Sequence, residues 1–327
     1  MKRLAFKAML ISSLAVAGIM VSTGATAEIA NWCKDGKTIK FAGLNWESGM
    51  LLTSVMRQVL ERGYDCKTDS LPGNSITMEQ ALANNDIQIF AEEWIGRSEA
   101  WNKAASAKKV VAVGHPIIGA TEGWYVPRYM IEGDPQHSLA PMAPDLKRIA
   151  DLSTYSKLFR DPEEPAKGRF YNCPAGWTCE RENTEKMTKH GLDQTYVNYR
   201  PGTGPALDAA ISSSYKRREP ILTYYWSPTA LLGKYDLVKL QEAPGDEPDI
   251  KIQVGVSRTF HDGNPDLMDV FSKINIPIDL LNKNLATMTE KRIDADKLAV
   301  QFLKENPAVW GQWVSADTAA KIQNSLN

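Results

Sequence analysis

Tryptophan stands out in this sequence: there are nine, against only four histidines. Three of them sit where runs that read as β-strands give out. Trp94 follows IQIFAEE, Trp226 ends PILTYYW, and Trp177 lies inside the loop CPAGWTC at 173–179. A fourth, Trp46, comes just after the first predicted strand. An indole face attracts a cation, and several faces around one charge form the cage that recognises quaternary ammonium groups. Such a cation has no hydrogen-bond donor, so ring faces suit it better than carboxylates alone. A lone tryptophan is more often core than ligand wall. Here several share one topological position, the loop just past a strand, and packing alone does not explain that. Trp310 and Trp313, three apart near the C-terminal end, read as one packed face. Trp32, Trp101 and Trp124 are assigned to packing.

The loop at 173–179 adds a second element. It leads into a predicted helix, so the amides of Thr178 and Cys179 stand at a helix N-terminus, a ready place for an anion. A cation cage beside an anion site describes a receptor for a zwitterion. The alternative is a stapled turn that holds no ligand. The four cysteines are Cys33, Cys66, Cys173 and Cys179. In an exported chain an even count suggests disulfides. The short loop favours Cys173 with Cys179, which leaves Cys33 for Cys66. A zinc site is the alternative, but no histidine lies near either pair at ligand spacing. No metal or cofactor is expected.

These residues need a scaffold. Residues 37–44 read as a strand, and Leu52, Val55, Met56, Val59 and Leu60 recur at helical spacing over 49–62. Gly63 is expected to end that helix. Further strands are predicted at 64–69 and 87–91, with a short helix at 78–83 between them. Strand and helix in alternation predict a parallel α/β sheet. The middle repeats the style, with strands at 123–127, 168–172, 220–226 and 235–240 and helices at 182–190 and 206–216. A strand at 250–257 and helices near 265–274, 282–288 and 294–306 follow. A late strand before terminal helices suggests two α/β domains: one built from both ends of the chain, at 28–121 and 255–327, the other inserted at 122–254. Two crossings then form a hinge around a cleft. Ligands of open α/β sheets bind at the carboxyl ends of strands, and domain interfaces favour pockets.

Composition agrees with this layout. With 43% hydrophobic and 24% charged residues the chain is not of the disordered class. A formal charge of −1 excludes binding polyanions through a general basic surface, so no nucleic-acid partner is expected. The first 27 residues read as an address. Lys2, Arg3 and Lys7 precede an apolar run at 8–21, and Ala25-Thr26-Ala27 has the small-x-small pattern of a signal-peptidase site. The run is short for a bilayer span, although an uncleaved anchor is the alternative. Cleavage before Glu28 leaves a periplasmic chain with 35 basic and 39 acidic residues, net −4.

Taken together, the sequence resembles the glycine betaine/proline-type substrate-binding proteins of ABC importers, which bind quaternary ammonium solutes. The resemblance runs over essentially all of the chain after residue 27. CPAGWTC at 173–179, YYWSP at 224–228 and EEW at 92–94 carry it most specifically. It implies a two-lobed periplasmic binding protein of type II, with two α/β domains joined by a two-strand hinge around a ligand cleft. It implies an aromatic box of Trp94, Trp177 and Trp226, carboxylate-binding amides at Thr178 and Cys179, and a Cys173–Cys179 disulfide. The choline-binding branch adds an aromatic after the first strand, here Trp46. Two positions depart. Where the betaine receptor has a histidine four residues past its first box tryptophan, this chain has Ser98. Where the choline branch has an aromatic near the start of the second domain's first strand, it has Glu122. A carboxylate beside the cage favours a cation or a ligand with a donor, which raises choline, carnitine or trimethylamine N-oxide beside betaine. The bland reading of Glu122 is a solvated hinge residue.

The expected function is therefore a monomeric, non-enzymatic receptor that hands a small methylated amine to an ABC permease and its ATPase. A sensory receptor of the same fold is the alternative. A secreted hydrolase is disfavoured, since neither G-x-S-x-G nor H-E-x-x-H occurs.

Overall fold

A computed structural model describes residues 31–327. The predicted export signal and its cleavage point lie outside the described residues. Two five-stranded sheets organise the chain. The first has the order β2-β1-β3-β10-β4, made of β1 (Thr38–Gly43), β2 (Lys67–Pro72), β3 (Ile89–Trp94), β4 (Val110–Val113) and β10 (Ile252–Ser257). The second has the order β7-β6-β8-β5-β9, made of β5 (Thr121–Pro127), β6 (Gly168–Tyr171), β7 (Tyr196–Tyr199), β8 (Leu222–Ser227) and β9 (Leu237–Lys239). The first sheet thus takes strands from both ends of the described chain, and the second takes the middle. The chain crosses between them after β4 and again after β9.

The parallel layout predicted for the strands at 37–44, 64–69 and 87–91 is observed, and each sheet as a whole is mixed. β1 runs parallel to β2 and β3, and β6 parallel to β7 and β8. The two strands that carry the chain across run against their neighbours: β10 is antiparallel to β3 and β4, and β5 to β8 and β9. A parallel pair needs a crossover on its own sheet, and a strand arriving from the other sheet has none.

The helix predicted at 49–62 spans Glu47–Tyr64 and buries Leu51, Leu52, Val55, Met56, Val59 and Leu60. It does not end at Gly63. Its cap is Asp65, in the left-handed conformation at φ 54°. Gly63 serves a close approach instead, because a Cβ there would lie 2.8 Å from Thr318 Cγ2 on the helix Ala316–Ser325. That terminal helix, the helix Glu99–Ser106 and the four-residue strands β4 and β7 are too short for a periodic pattern to be read from sequence.

One apolar core joins the buried face of Glu47–Tyr64 to the C-terminal helices, around Phe41, Phe271, Phe302 and Trp310. A second is centred on the other sheet. It continues from Leu222 and Tyr225 through Trp226, Trp177 and Trp46 to Leu44 and Phe90 of the first. The two halves therefore meet through tryptophan.

Candidate ligand-binding site

Four tryptophans reach this meeting place from the ends of four strands. Trp46 follows β1 and is the N-cap residue of the helix Glu47–Tyr64. Trp94 is the last residue of β3. Trp177 follows β6 and is the N-cap residue of the helix Thr178–Lys189. Trp226 lies near the end of β8. In parallel strands these are the carboxyl ends, where open α/β sheets place ligands. The centroids of Trp46 and Trp177 lie 5.4 Å apart, and those of Trp177 and Trp226 5.2 Å apart, both edge to face. Tyr224 stacks on Trp226 at 6.1 Å. Trp46, Trp177 and Trp226 are buried and Trp94 is half-buried. All four line a cavity of about 490 Å³, part of it open to solvent.

The loop that presents Trp177 is constrained. Cys173 and Cys179 are bonded, as are Cys33 and Cys66, so among the described residues no free thiol remains for a metal. Gly176 has φ +83°, and a Cβ there would meet the Asn74 side chain at 2.5 Å. The left-handed turn and the close approach both require glycine. The helix begins at Thr178, earlier than the sequence reading put it, and Thr178 and Cys179 both line the cavity. As the first residues of a helix they have no intrahelical partner for their N–H groups.

Five acidic residues, Glu79, Glu92, Glu93, Glu122 and Glu182, also line the cavity. Glu92 is fully buried, and one of its oxygens, Oε1, accepts from Trp46 Nε1 at 2.9 Å, Trp94 Nε1 at 3.1 Å and Ser48 Oγ at 3.1 Å. Among the described residues its other oxygen has no partner, and neither has Oε2 of the buried Glu93. Burial pushes the Glu92 carboxyl up to about 7, against the pull of its three donors. Burial and the neighbouring Glu79 hold Glu93 well above the ordinary carboxylate range. Glu79 itself is raised to about 7 by burial, opposed by the Ser98 hydroxyl.

The two departures from the resemblance take different roles here from those expected. Ser98 is buried but does not line the cavity. Its hydroxyl donates to Glu79 and accepts from Trp101 N–H at 3.4 Å, capping the helix Glu99–Ser106. Glu122 does line the cavity, and it is buried rather than solvated. It faces Trp226 in the register of β5 and β8. Its carboxylate is engaged already, by Tyr224 Oη at 2.7 Å and by Arg97. Arg97 also holds Glu182 through Nε at 2.8 Å, so one guanidinium from beyond β3 ties two acids of the other sheet's half.

Sequence reasoning missed Arg97, Glu182, Asn45 and the roles of Glu92, Glu93 and Tyr224. The last three lie within the quoted runs EEW and YYWSP, so their positions were marked while their chemistry was not. The remaining tryptophans are structural. Trp124 is fully buried, stacks on Phe170 at 4.0 Å and donates to Asn183 at 2.8 Å. Trp310 donates to the Leu303 carbonyl at 2.7 Å, and Trp313 stacks on Phe302. Trp101 is buried, and Trp32 packs edge to face on Phe260.

Two five-stranded α/β sheets, joined by two crossings and meeting at an aromatic cavity, define a two-lobed periplasmic-type binding protein. The chain belongs to the family described as the substrate-binding domain of ABC-type glycine betaine transport systems, whose model matches residues 37–305. It is 24% identical over 267 residues to the glycine betaine/proline betaine-binding periplasmic protein of Escherichia coli strain K12, covering 74% of this chain and 78% of that one. Two solved structures share its fold. An ABC-transporter choline-binding protein in complex with choline matches with a TM-score of 0.77 and 17% identity, over 90% of this chain and 99% of the other. The glycine betaine, L-proline ABC transporter binding protein of Borrelia burgdorferi matches with a TM-score of 0.74 and 20% identity, over 88% of this chain and all of the other. Among the described residues no helix is long and apolar enough to cross a membrane.

Proposed function

We propose that this protein is the exported, periplasmic receptor of an ABC importer and binds a small methylated ammonium compound between its two lobes. One observation carries the reading: Trp46, Trp94, Trp177 and Trp226, from four strand ends, line one cavity together with buried carboxyl groups. Ring faces attract the methylated head, and the acidic surround leaves that preference unopposed. The amides of Thr178 and Cys179 stand at the wall, where an oxygen of the ligand can accept from them. Membership of the transport family supports delivery to a membrane permease coupled to an ATPase. The division of strands between the sheets supports lobes at 28–121 with 255–327 and at 122–254. No catalytic step is assigned, since the relatives are named as binding proteins.

Titration with glycine betaine, choline, carnitine and trimethylamine N-oxide tests the reading. Tryptophan fluorescence should shift, and calorimetry should register heat, with at least one of them. Silence from all four in both measurements overturns it.

A further inference from the structure

Glu92 has a part that nothing so far assigns. Its single oxygen Oε1 accepts the indole N–H groups of two cage walls that lie 48 positions apart, Trp46 and Trp94. The orientation of both walls is therefore fixed at one atom. The partner oxygen, Oε2, is buried without a hydrogen bond from any of the described residues, on a carboxyl group that lines the cavity. An ionised carboxylate left in that condition is unstable until a positive charge arrives. A negative charge at the N–H edge of an indole also polarises the ring and makes its faces more attractive to a cation.

The charged surroundings leave this role to Glu92. Among the described residues Arg97 is the one basic group of the cavity wall, and Glu122 and Glu182 engage it. Glu79 is taken by Ser98, and Tyr224 donates to Glu122. Glu47, which heads the neighbouring helix, accepts from Thr289 at 2.7 Å. Glu93 adds a second unpartnered buried oxygen of the same sign. A ligand that is simply cationic supplies the missing charge. A zwitterion supplies it too, but brings a carboxylate of its own among these acids.

Resting on the methylated-ammonium reading above, we propose that Glu92 is the positioning and charge-selecting residue of the cage, setting Trp46 and Trp94 and favouring a net cationic ligand over a zwitterion. The test is calorimetric titration of the wild-type protein and Glu92→Gln with three probes that share a branched head: choline, glycine betaine and the uncharged 3,3-dimethylbutan-1-ol. Glutamine keeps an oxygen for the two indoles and removes the charge. Choline is expected to bind the wild type more tightly than betaine. In the variant, choline should weaken by about tenfold or more, while the uncharged probe stays within about twofold. Equal weakening of all probes, or unchanged choline affinity, overturns the proposal while leaving the general reading intact. If no probe binds the wild type, both fall.

A second measurement needs no variant. Choline binding near pH 7, followed in buffers of different ionisation heat, should release protons from the wild-type protein, and binding of the uncharged probe should release none. Absence of that difference overturns the proposal, whether or not Glu92→Gln folds.

Discussion

Trp177 donates its indole N–H to Asn45 Oδ1 at 2.9 Å, and the two residues belong to opposite halves of the molecule. Asn45 follows β1 of the first sheet, and Trp177 follows β6 of the second. The bond thus joins the halves at the cage itself and presents the Trp177 ring in a fixed attitude. Replacing Asn45 by alanine leaves a buried indole donor without its acceptor, a loss of about 1 kcal/mol or more. The expected result is ligand affinity lower by roughly five- to tenfold, with a melting temperature lower by a few degrees. Calorimetry on Asn45→Ala checks it, and wild-type affinity would show that this contact adds nothing to binding.

The tryptophans divide into two groups that respond differently to truncation. Trp177→Ala and Trp226→Ala each remove a wall from the cavity and should weaken ligand binding by more than about tenfold. Trp124→Ala removes a fully buried ring stacked on Phe170 and should instead lower stability by about 3–5 kcal/mol. Binding isotherms and urea unfolding on the same three variants separate the two groups. A Trp226→Ala protein with unchanged affinity would take Trp226 out of the cage.

The placement of the four tryptophans was legible in the sequence because strand ends are local features. Trp46, Trp94 and Trp226 could be placed by the runs before them, and Trp177 by its cysteine loop. The acidic network was not legible, because its partners are distant in the chain. Glu122 read as a free carboxylate, since nothing local reveals that Arg97 reaches it from the turn after β3 and Tyr224 from β8. Ser98 and Arg97 are adjacent, yet only Arg97 lines the cavity, and the turn after β3 that decides between them has no signature of its own. Gly63 misled for a related reason: its purpose is contact with a helix more than 250 residues further on.

Arg97 holds the acids of the second half to the end of β3. Removing it leaves Glu122 buried and Glu182 half-buried without their cation, which makes breaking such a group more damaging than its net worth implies. Arg97→Ala is expected to reduce both ligand affinity and stability, by an amount of order 3 kcal/mol in unfolding experiments. Arg97→Ala combined with Glu122→Gln and Glu182→Gln should recover much of that stability, because the stranded charges are gone. No recovery in the triple variant would show that the guanidinium acts through packing rather than charge.

Glu79 and Glu92 make stability depend on pH in a direction opposite to most acidic groups. Both are raised from an ordinary value of 4.5 to about 7, chiefly by burial. Between these values the folded chain binds more protons than the unfolded one, so stability falls as pH rises. The favourable contribution is present in full below about 4.5 and lost once pH passes about 7. The ligand-free protein should therefore resist urea better at pH 5 than at pH 8. Saturation with a cationic ligand should narrow that gap, because a cation favours the ionised carboxyl and stabilises the folded state most where Glu92 is charged. Urea midpoints at the two pH values, with and without choline, check both parts. A ligand-free protein that is more stable at pH 8, or a gap that choline widens, would contradict the assignment of these two buried carboxyls.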